Sequence, residues 1–318
     1  MCCWINKIIC GDCIEMLGRI KEPFADLIFA DPPFNIGYKY DKYNDKVKGK
    51  NYIAWTGDWM AACKKVLKPN GSFYIAIGDE YAANVKIIAD ELGLHLRNWI
   101  IWHYTFGQQT KNKFARAHTH IFYFVNDKKN FTFNDYSVRV PSERRLVYND
   151  RRADPKGKMP NDVWDEFPRV CGTFKERQGW HPCQMPEALL ARIIVSSSNP
   201  GDTVLDPFSG SGTTAAVACR LGRNYVAIDI SERYVNSAQK RLAEITKLDE
   251  GVEANLFLNS VELNELKRLA GDMKKSAREI VENGKLLKIV KDQFSVRMNN
   301  HRDYRPEDIA LALGSITD

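Results

Sequence analysis

Two short stretches decide the reading of this chain: Ala30-Asp31-Pro32-Pro33-Phe34-Asn35, and Asp206-Pro207-Phe208-Ser209-Gly210-Ser211-Gly212-Thr213-Thr214 much later. Each follows an apolar run, Leu27-Ile28-Phe29 in the first case and Thr203-Val204-Leu205 in the second. Each is therefore expected to be the turn that leaves the carboxyl end of a buried strand. Open α/β sheets bind their ligands at those ends.

Working outward, strand patterns fall at Lys7 to Cys10, Leu27 to Ala30, Ser72 to Ile77, Trp99 to His103, His120 to Val125, Thr203 to Leu205 and Tyr225 to Asp229. Helical patterns lie between them at Tyr52 to Val66, Tyr81 to Leu92, Pro186 to Ser196, Thr213 to Leu221 and Ser231 to Leu242. This alternation predicts an α/β fold with a doubly wound, mostly parallel sheet. Trp99–His103 and His120–Val125 have no helical pattern between them, so they are expected to form an antiparallel edge.

The chain of 318 residues has room for one large α/β domain with insertions or for two domains. No apolar run approaches the roughly 20 residues needed to span a bilayer, and the first residues do not read as a secretion signal. Eight cysteines without regular spacing fit a reducing compartment, so a cytoplasmic protein is expected. Cys10 and Cys13 lack a second pair, and buried thiols account for them better than a metal site does. The formal charge of +6 does not by itself mark a nucleic-acid binder. Its distribution is more telling. Between Arg139 and Lys158, seven basic residues stand against Glu143, Asp150 and Asp154.

The first stretch resembles the Asp-Pro-Pro-aromatic catalytic motif of DNA amino-methyltransferases, and the second resembles their Phe-x-Gly-x-Gly cofactor loop. With the catalytic motif first, the order is that of the permuted β group, in which the acceptor is adenine N6 or cytosine N4. The resemblance implies a Rossmann-like fold, S-adenosyl-L-methionine as cofactor and double-stranded DNA as partner. It also implies three segments: residues 1–125 as the catalytic half, 126–179 as a target-recognition insertion and 180–246 as the cofactor half; helical patterns in residues 247–318 make a fourth segment, a helical extension. The extension lies beyond the resemblance; dimerisation and an added DNA contact are both open for it, and the sequence does not say whether a restriction nuclease accompanies the chain.

An exocyclic amine is a poor nucleophile because its lone pair is delocalised into the base. Asp31 can accept one amino hydrogen, while the Pro32 carbonyl, fixed in direction by the Pro33 ring, accepts the other. Phe34 offers a ring on which the extruded base stacks. A turn or helix-cap carboxylate is the competing account of Asp31, but a cap needs no rigid acceptor behind it. Because relatives that act on cytosine N4 more often carry Ser at this position, adenine N6 is the expected acceptor. A DNA-binding regulator without turnover is the rival of another class; intact Asp31, Gly210 and Gly212 count against it.

On the cofactor side the resemblance assigns Asp206, Phe208, Ser209, Gly210, Ser211, Gly212 and Thr213 from the loop, with Asp31 bordering it. Asp229 would accept the ribose hydroxyls, and Asp12 with Cys13 would meet the adenine ring; capping a helix is the other account of Asp12. His181-Pro182-Cys183-Gln184-Met185-Pro186 resembles the family's His-Pro-Thr-Gln-Lys-Pro segment, which brings in His181 and Gln184. Cys183 stands where the family has a hydroxyl, and Met185 where it has a lysine. For DNA, Lys39 lies in a basic, aromatic loop, Ile36 to Asn51, expected to be a flap over the extruded base. Arg139, Arg144, Arg145, Tyr148, Arg151 and Arg152 belong to the basic stretch and are candidate DNA contacts.

Overall fold

Ala25–Ala30 is apolar on both faces, and Leu27, Ile28, Phe29 and Ala30 are all fully buried. A strand of that composition belongs at the centre of a parallel sheet covered on both sides. The computed structural model places it there. It describes residues 4–105, 110–140, 142, 144, 148, 150, 152, 154, 158–172, 174, 176–251, 258, 260–298 and 303–314.

The strands are β1 (Lys7–Cys10), β2 (Ala25–Ala30), β3 (Leu67–Ile77), β4 (His95–His103), β5 (His118–Val125), β6 (Val163–Trp164), β7 (Thr203–Asp206) and β8 (Asn224–Asp229). They form one sheet in the order β1-β8-β7-β2-β3-β5-β4-β6. The pairs from β1 through β3 are parallel, while β5 runs antiparallel to both β3 and β4. The antiparallel pair is therefore present, but it does not form the outer edge. Val163 and Trp164 pair in parallel with Ile101 and Trp102 and carry the sheet one strand further. Two residues are too few to show a period, which is why sequence pattern missed β6.

The helices described are α1 (Cys13–Gly18), α2 (Gly49–Val66), α3 (Asp79–Glu91), α4 (Asp135–Val138), α5 (Glu187–Ser197), α6 (Thr213–Arg220), α7 (Glu232–Gly251), α8 (Ser260–Asp272), α9 (Ala277–Glu282), α10 (Gly284–Arg297) and α11 (Pro306–Gly314). Helices α1 to α3 close one face around Trp59, Phe73 and Phe122. On the other face α5 packs with Leu266, Leu269, Phe294 and Leu313 of the carboxyl-terminal helices. Those helices are also tied to the insertion: Arg297, paired with Glu265 of α8 at 2.8 Å, donates from its Nε to the Arg139 carbonyl at 2.9 Å. The sheet reverses its winding between β2 and β7, where a crevice opens at the strand ends. Both decisive stretches leave the sheet at that point.

Candidate active site

Asp31 follows the last residue of β2, and Asp206 ends the neighbouring β7. Burial, then the nearby charge of Asp206, pushes the Asp31 carboxyl up to about 7, with Arg169 offsetting part of this. Burial likewise raises Asp206 to about 7, although its side chain accepts the Phe208 N–H at 2.9 Å. Behind Asp31, Pro32 is buried and the Pro33 carbonyl accepts the Tyr52 hydroxyl at 2.6 Å. Phe34 packs beside Gly78, where a Cβ would approach its ring to 3.4 Å. Asn35 takes a left-handed φ of 60°. Its side chain holds the bend by donating to the Val47 carbonyl (3.0 Å) and the Tyr81 hydroxyl (2.9 Å) and by accepting the Val47 N–H (2.7 Å).

A cavity of about 340 Å³ adjoins Asp31 and runs between the ends of β1, β2, β7 and β8. Of the expected cofactor residues, Asp12, Cys13, Asp31, His181, Asp206 and Phe208 line it. Ser209, Gly210, Ser211, Thr213 and Asp229 complete that set. Both accounts of Asp12 hold: Oδ1 caps α1 by accepting the Ile14 and Glu15 N–H groups, and the residue borders the cavity. Asp229 accepts the Gly210 and Ser231 N–H groups, each at 2.8 Å, and burial raises its pKa.

Gly210 and Gly212 serve the loop in different ways. A Cβ on Gly210 (φ 49°) would sit 2.9 Å from Cε1 and Nε2 of His181. A Cβ on Gly212 (φ 73°) would meet the Ala238 Cβ at 2.8 Å, so this glycine packs the loop against α7 and does not line the cavity. The His181 Nδ1 donates to the Cys183 carbonyl, and burial lowers the ring to about 4. The imidazole is therefore neutral, with a bare Nε2 beside Gly210.

Gln184 lies outside the cavity lining. Its Oε1 accepts the Gln178 N–H (2.7 Å) and its Nε2 donates to the Glu176 carbonyl (2.8 Å), so it pins the preceding loop. Pro32 and Phe34 also stand off the lining, whereas Pro33 between them belongs to it. Sequence reasoning missed Tyr40, Lys42, Tyr43, Trp55 and Tyr234, which all contribute walls. In the sequence Tyr40, Lys42 and Tyr43 read with their loop as facing the base, and the spacing of Trp55 with Tyr52 and Trp59 reads simply as a core stripe. Lys42 is the one lysine or arginine lining the cavity among the described residues.

Of the candidate DNA contacts, Lys39 is exposed and bridges to Asn44 at the outer turn of its loop. Tyr148 is 75% exposed. Arg144 and Arg152 are exposed and share Asp150, whereas Arg139 turns inward, 17% exposed, to Asp135 and Asp154. Arg145 and Arg151 lie outside the described residues.

Residues 25–240 match the family model described as DNA methylase of the N6/N4 type. The chain belongs to that family. The methylase is 40% identical over 245 residues to the DNA adenine methyltransferase YhdJ of Escherichia coli K12, covering 74% of this chain and 82% of that protein. It is 39% identical over 238 residues to the Type II methyltransferase M.HpaI of Haemophilus parainfluenzae, covering 74% of each chain. Among solved structures, the M1.HpyAVI–SAM complex is similar at 22% identity and a TM-score of 0.50, over 74% of this chain and 99% of that one. The cytosine-N4-specific PvuII DNA methyltransferase aligns at 19% identity with a TM-score of 0.56, over 92% of each chain. These structural likenesses establish the Rossmann-like α/β fold. Membership makes the chain a DNA methyltransferase, and no helix among the described residues is long and apolar enough to cross a membrane.

Proposed function

We propose that this methylase transfers the methyl group of S-adenosyl-L-methionine to the exocyclic N6 of an adenine extruded from a specific duplex site. The observation that carries the reading is the placement of Asp31 and Pro33 on the wall of the same cavity that Gly210 and Asp229 line, with the rest of the Pro-Pro-Phe turn directly behind. The 40% identity to a protein named as a DNA adenine methyltransferase supports the choice of base.

The cavity suits such a cofactor. The Ser209 hydroxyl is buried there without a partner among the described residues, and Gly210 leaves open a space that any side chain would close onto His181. Asp229 would hold the ribose, Asp12 the adenine amino group and Gly210 the methionine part. Lys42 would supply the cation that Met185 does not. The bound cofactor contributes an electrophilic methyl group on a sulfonium sulfur.

The protein's part is to make the amine nucleophilic. Ionised Asp31 accepts one amino hydrogen, and the Pro32 carbonyl accepts the second. Together they favour a tetrahedral nitrogen whose lone pair points at the methyl donor. After transfer the surplus proton on nitrogen passes to Asp31, whose raised pKa suits an acceptor at neutral pH. Extrusion of the base is required because its amino group is paired inside the duplex.

The exposed Lys39, Arg144, Tyr148 and Arg152 are assigned to the DNA backbone. M.HpaI and M.HinfI are named Type II methyltransferases, and on that footing a companion nuclease of the same site is part of the proposal. The test is to methylate unmodified DNA with the purified protein, map the modified positions by sequencing and identify the product by nucleoside mass spectrometry. N6-methyladenine at one short motif is expected; N4-methylcytosine alone would overturn the base, and no product would overturn the function.

A further inference from the structure

The span from Asn35 to Val47 leaves the acceptor side, arches past the cavity and returns to the head of α2. Its root is fastened internally. The buried Asp45 carboxylate accepts the N–H groups of Asn35 (2.6 Å), Ile36 (3.2 Å) and Tyr38 (2.8 Å), and the Asp45 carbonyl accepts that of Gly37 (2.6 Å). Its crown is fastened to the cofactor half. The Ser231 hydroxyl donates to the Asp41 carboxylate at 2.7 Å, and the Ser231 N–H donates to Asp229 at 2.8 Å. Between the two fastenings, Tyr40, Lys42 and Tyr43 form part of the cavity wall.

A molecule filling the cavity would touch those three side chains where the arch stands here, with Asp41 on Ser231 and the Tyr40 ring beside His181. It therefore binds the fastened arch better than an unfastened one, and shifts the population by that difference in affinity. We infer that the arch couples the two half-sites: cofactor binding holds the Asp41–Ser231 latch shut, and the arch root carries that order to the backbone beside Phe34. The inference rests on the cofactor reading above. It replaces the expected flap over the base with a strap whose first contact is the cofactor, so that the acceptor turn is best ordered when a methyl donor is present. By reciprocity, an ordered acceptor turn favours the cofactor by the same factor.

The test is amide hydrogen exchange at Asn35, Ile36 and Tyr38, with and without S-adenosylhomocysteine, alongside calorimetry of its binding. In the parent protein the ligand should slow exchange about fivefold or more. Asp41→Ala should diminish the slowing and weaken S-adenosylhomocysteine binding in step with it. Asp41→Asn keeps an acceptor for the Ser231 hydroxyl and should restore most of both. Asp41→Ala is preferred to Ser231→Ala because the Ser231 hydroxyl also accepts the Tyr234 N–H at the start of α7 (3.2 Å). Undiminished slowing in Asp41→Ala, or none in a parent that binds the ligand, overturns the coupling and leaves the functional reading intact. A parent that does not bind S-adenosylhomocysteine overturns both.

Discussion

The Tyr52 hydroxyl donates to the Pro33 carbonyl at 2.6 Å, from the buried face of α2. That bond occupies the second carbonyl of the Pro-Pro pair and so anchors the plane of the Pro33–Phe34 peptide, directly after the Pro32 carbonyl and the Pro33 ring. Of the two proline carbonyls, Pro32 is the one left for the amine. Tyr52→Phe keeps the ring against Trp55 and Tyr81 but strips the Pro33 carbonyl of its donor, a change worth ~1–3 kcal/mol where the group is buried. The expected outcome is a roughly tenfold or greater fall in single-turnover methyl transfer, with S-adenosylhomocysteine affinity within error of the parent. An equal loss of both would assign Tyr52 to general stability.

Gly210 and His181 make the complementary prediction on the cofactor side. Ala at position 210 must adopt a left-handed φ, at about 1–2 kcal/mol, and must also push a buried imidazole aside. Gly210→Ala should therefore weaken S-adenosylhomocysteine binding by tenfold or more, and Gly210→Ala/His181→Ala should recover part of the loss by removing the clash. Calorimetry on the single and double variants decides the matter; identical affinities in the two would mean that His181 yields freely.

Much of this was legible in the chain because the central strands are apolar on both faces and end in unusual turns. Asp31, Asp206 and Asp229 read as strand-end residues because Leu27–Ala30, Thr203–Leu205 and Tyr225–Ile228 are short, largely β-branched or aromatic runs closed by turn residues. Local contacts of short range were not legible. The break between α9 and α10 rests on Asn283 capping Lys285 and Leu286, which a continuous apolar pattern from Ile280 to Val290 conceals. Tyr40 and Lys42 reach the cavity through the arch, a tertiary path that no period reports. Gln184 sits in a motif whose resemblance points to the cofactor, yet its amide is spent on Gln178 and Glu176. Motif membership fixes the backbone position of such a residue and leaves its side chain to its neighbours.

The raised carboxyls set opposite pH trends for activity and stability. Asp31 accepts the amine in its ionised form, so kcat/KM should fall as pH drops through about 7. In the unfolded chain an Asp titrates at about 3.9, so Asp31 and Asp206 bind more protons folded than unfolded across the interval up to about 7. The stability they contribute is fully present below the unfolded value and is lost as pH rises through the folded one. The ligand-free protein should thus melt higher at pH 6.5 than at pH 8, and Asp206→Asn should narrow the gap, by roughly 2–4 °C per kcal/mol recovered. Scanning calorimetry at the two pH values is the check; a lower midpoint at pH 6.5 would contradict it.

The arginines of the insertion divide by what their guanidinium groups already hold. Arg144 and Arg152 are 64% and 83% exposed and compete for the single carboxylate of Asp150, so two cations are answered by one anion at the surface. That surplus is available to phosphate. Arg139 is largely enclosed between Asp135 and Asp154, while its own carbonyl is held by Arg297, which ties it to the carboxyl-terminal helices. Arg144→Ala and Arg152→Ala should each lower the slope of log affinity against log salt by about 0.9 for every phosphate that the missing guanidinium would have neutralised. Arg139→Ala should leave that slope unchanged and lower the melting temperature instead, because it strands two carboxylates beside a packed interface. DNA-binding isotherms at several salt concentrations, paired with thermal melts, separate the two classes. A reduced slope in Arg139→Ala, or an unchanged one in the Arg144→Ala/Arg152→Ala double variant, would reverse the assignment.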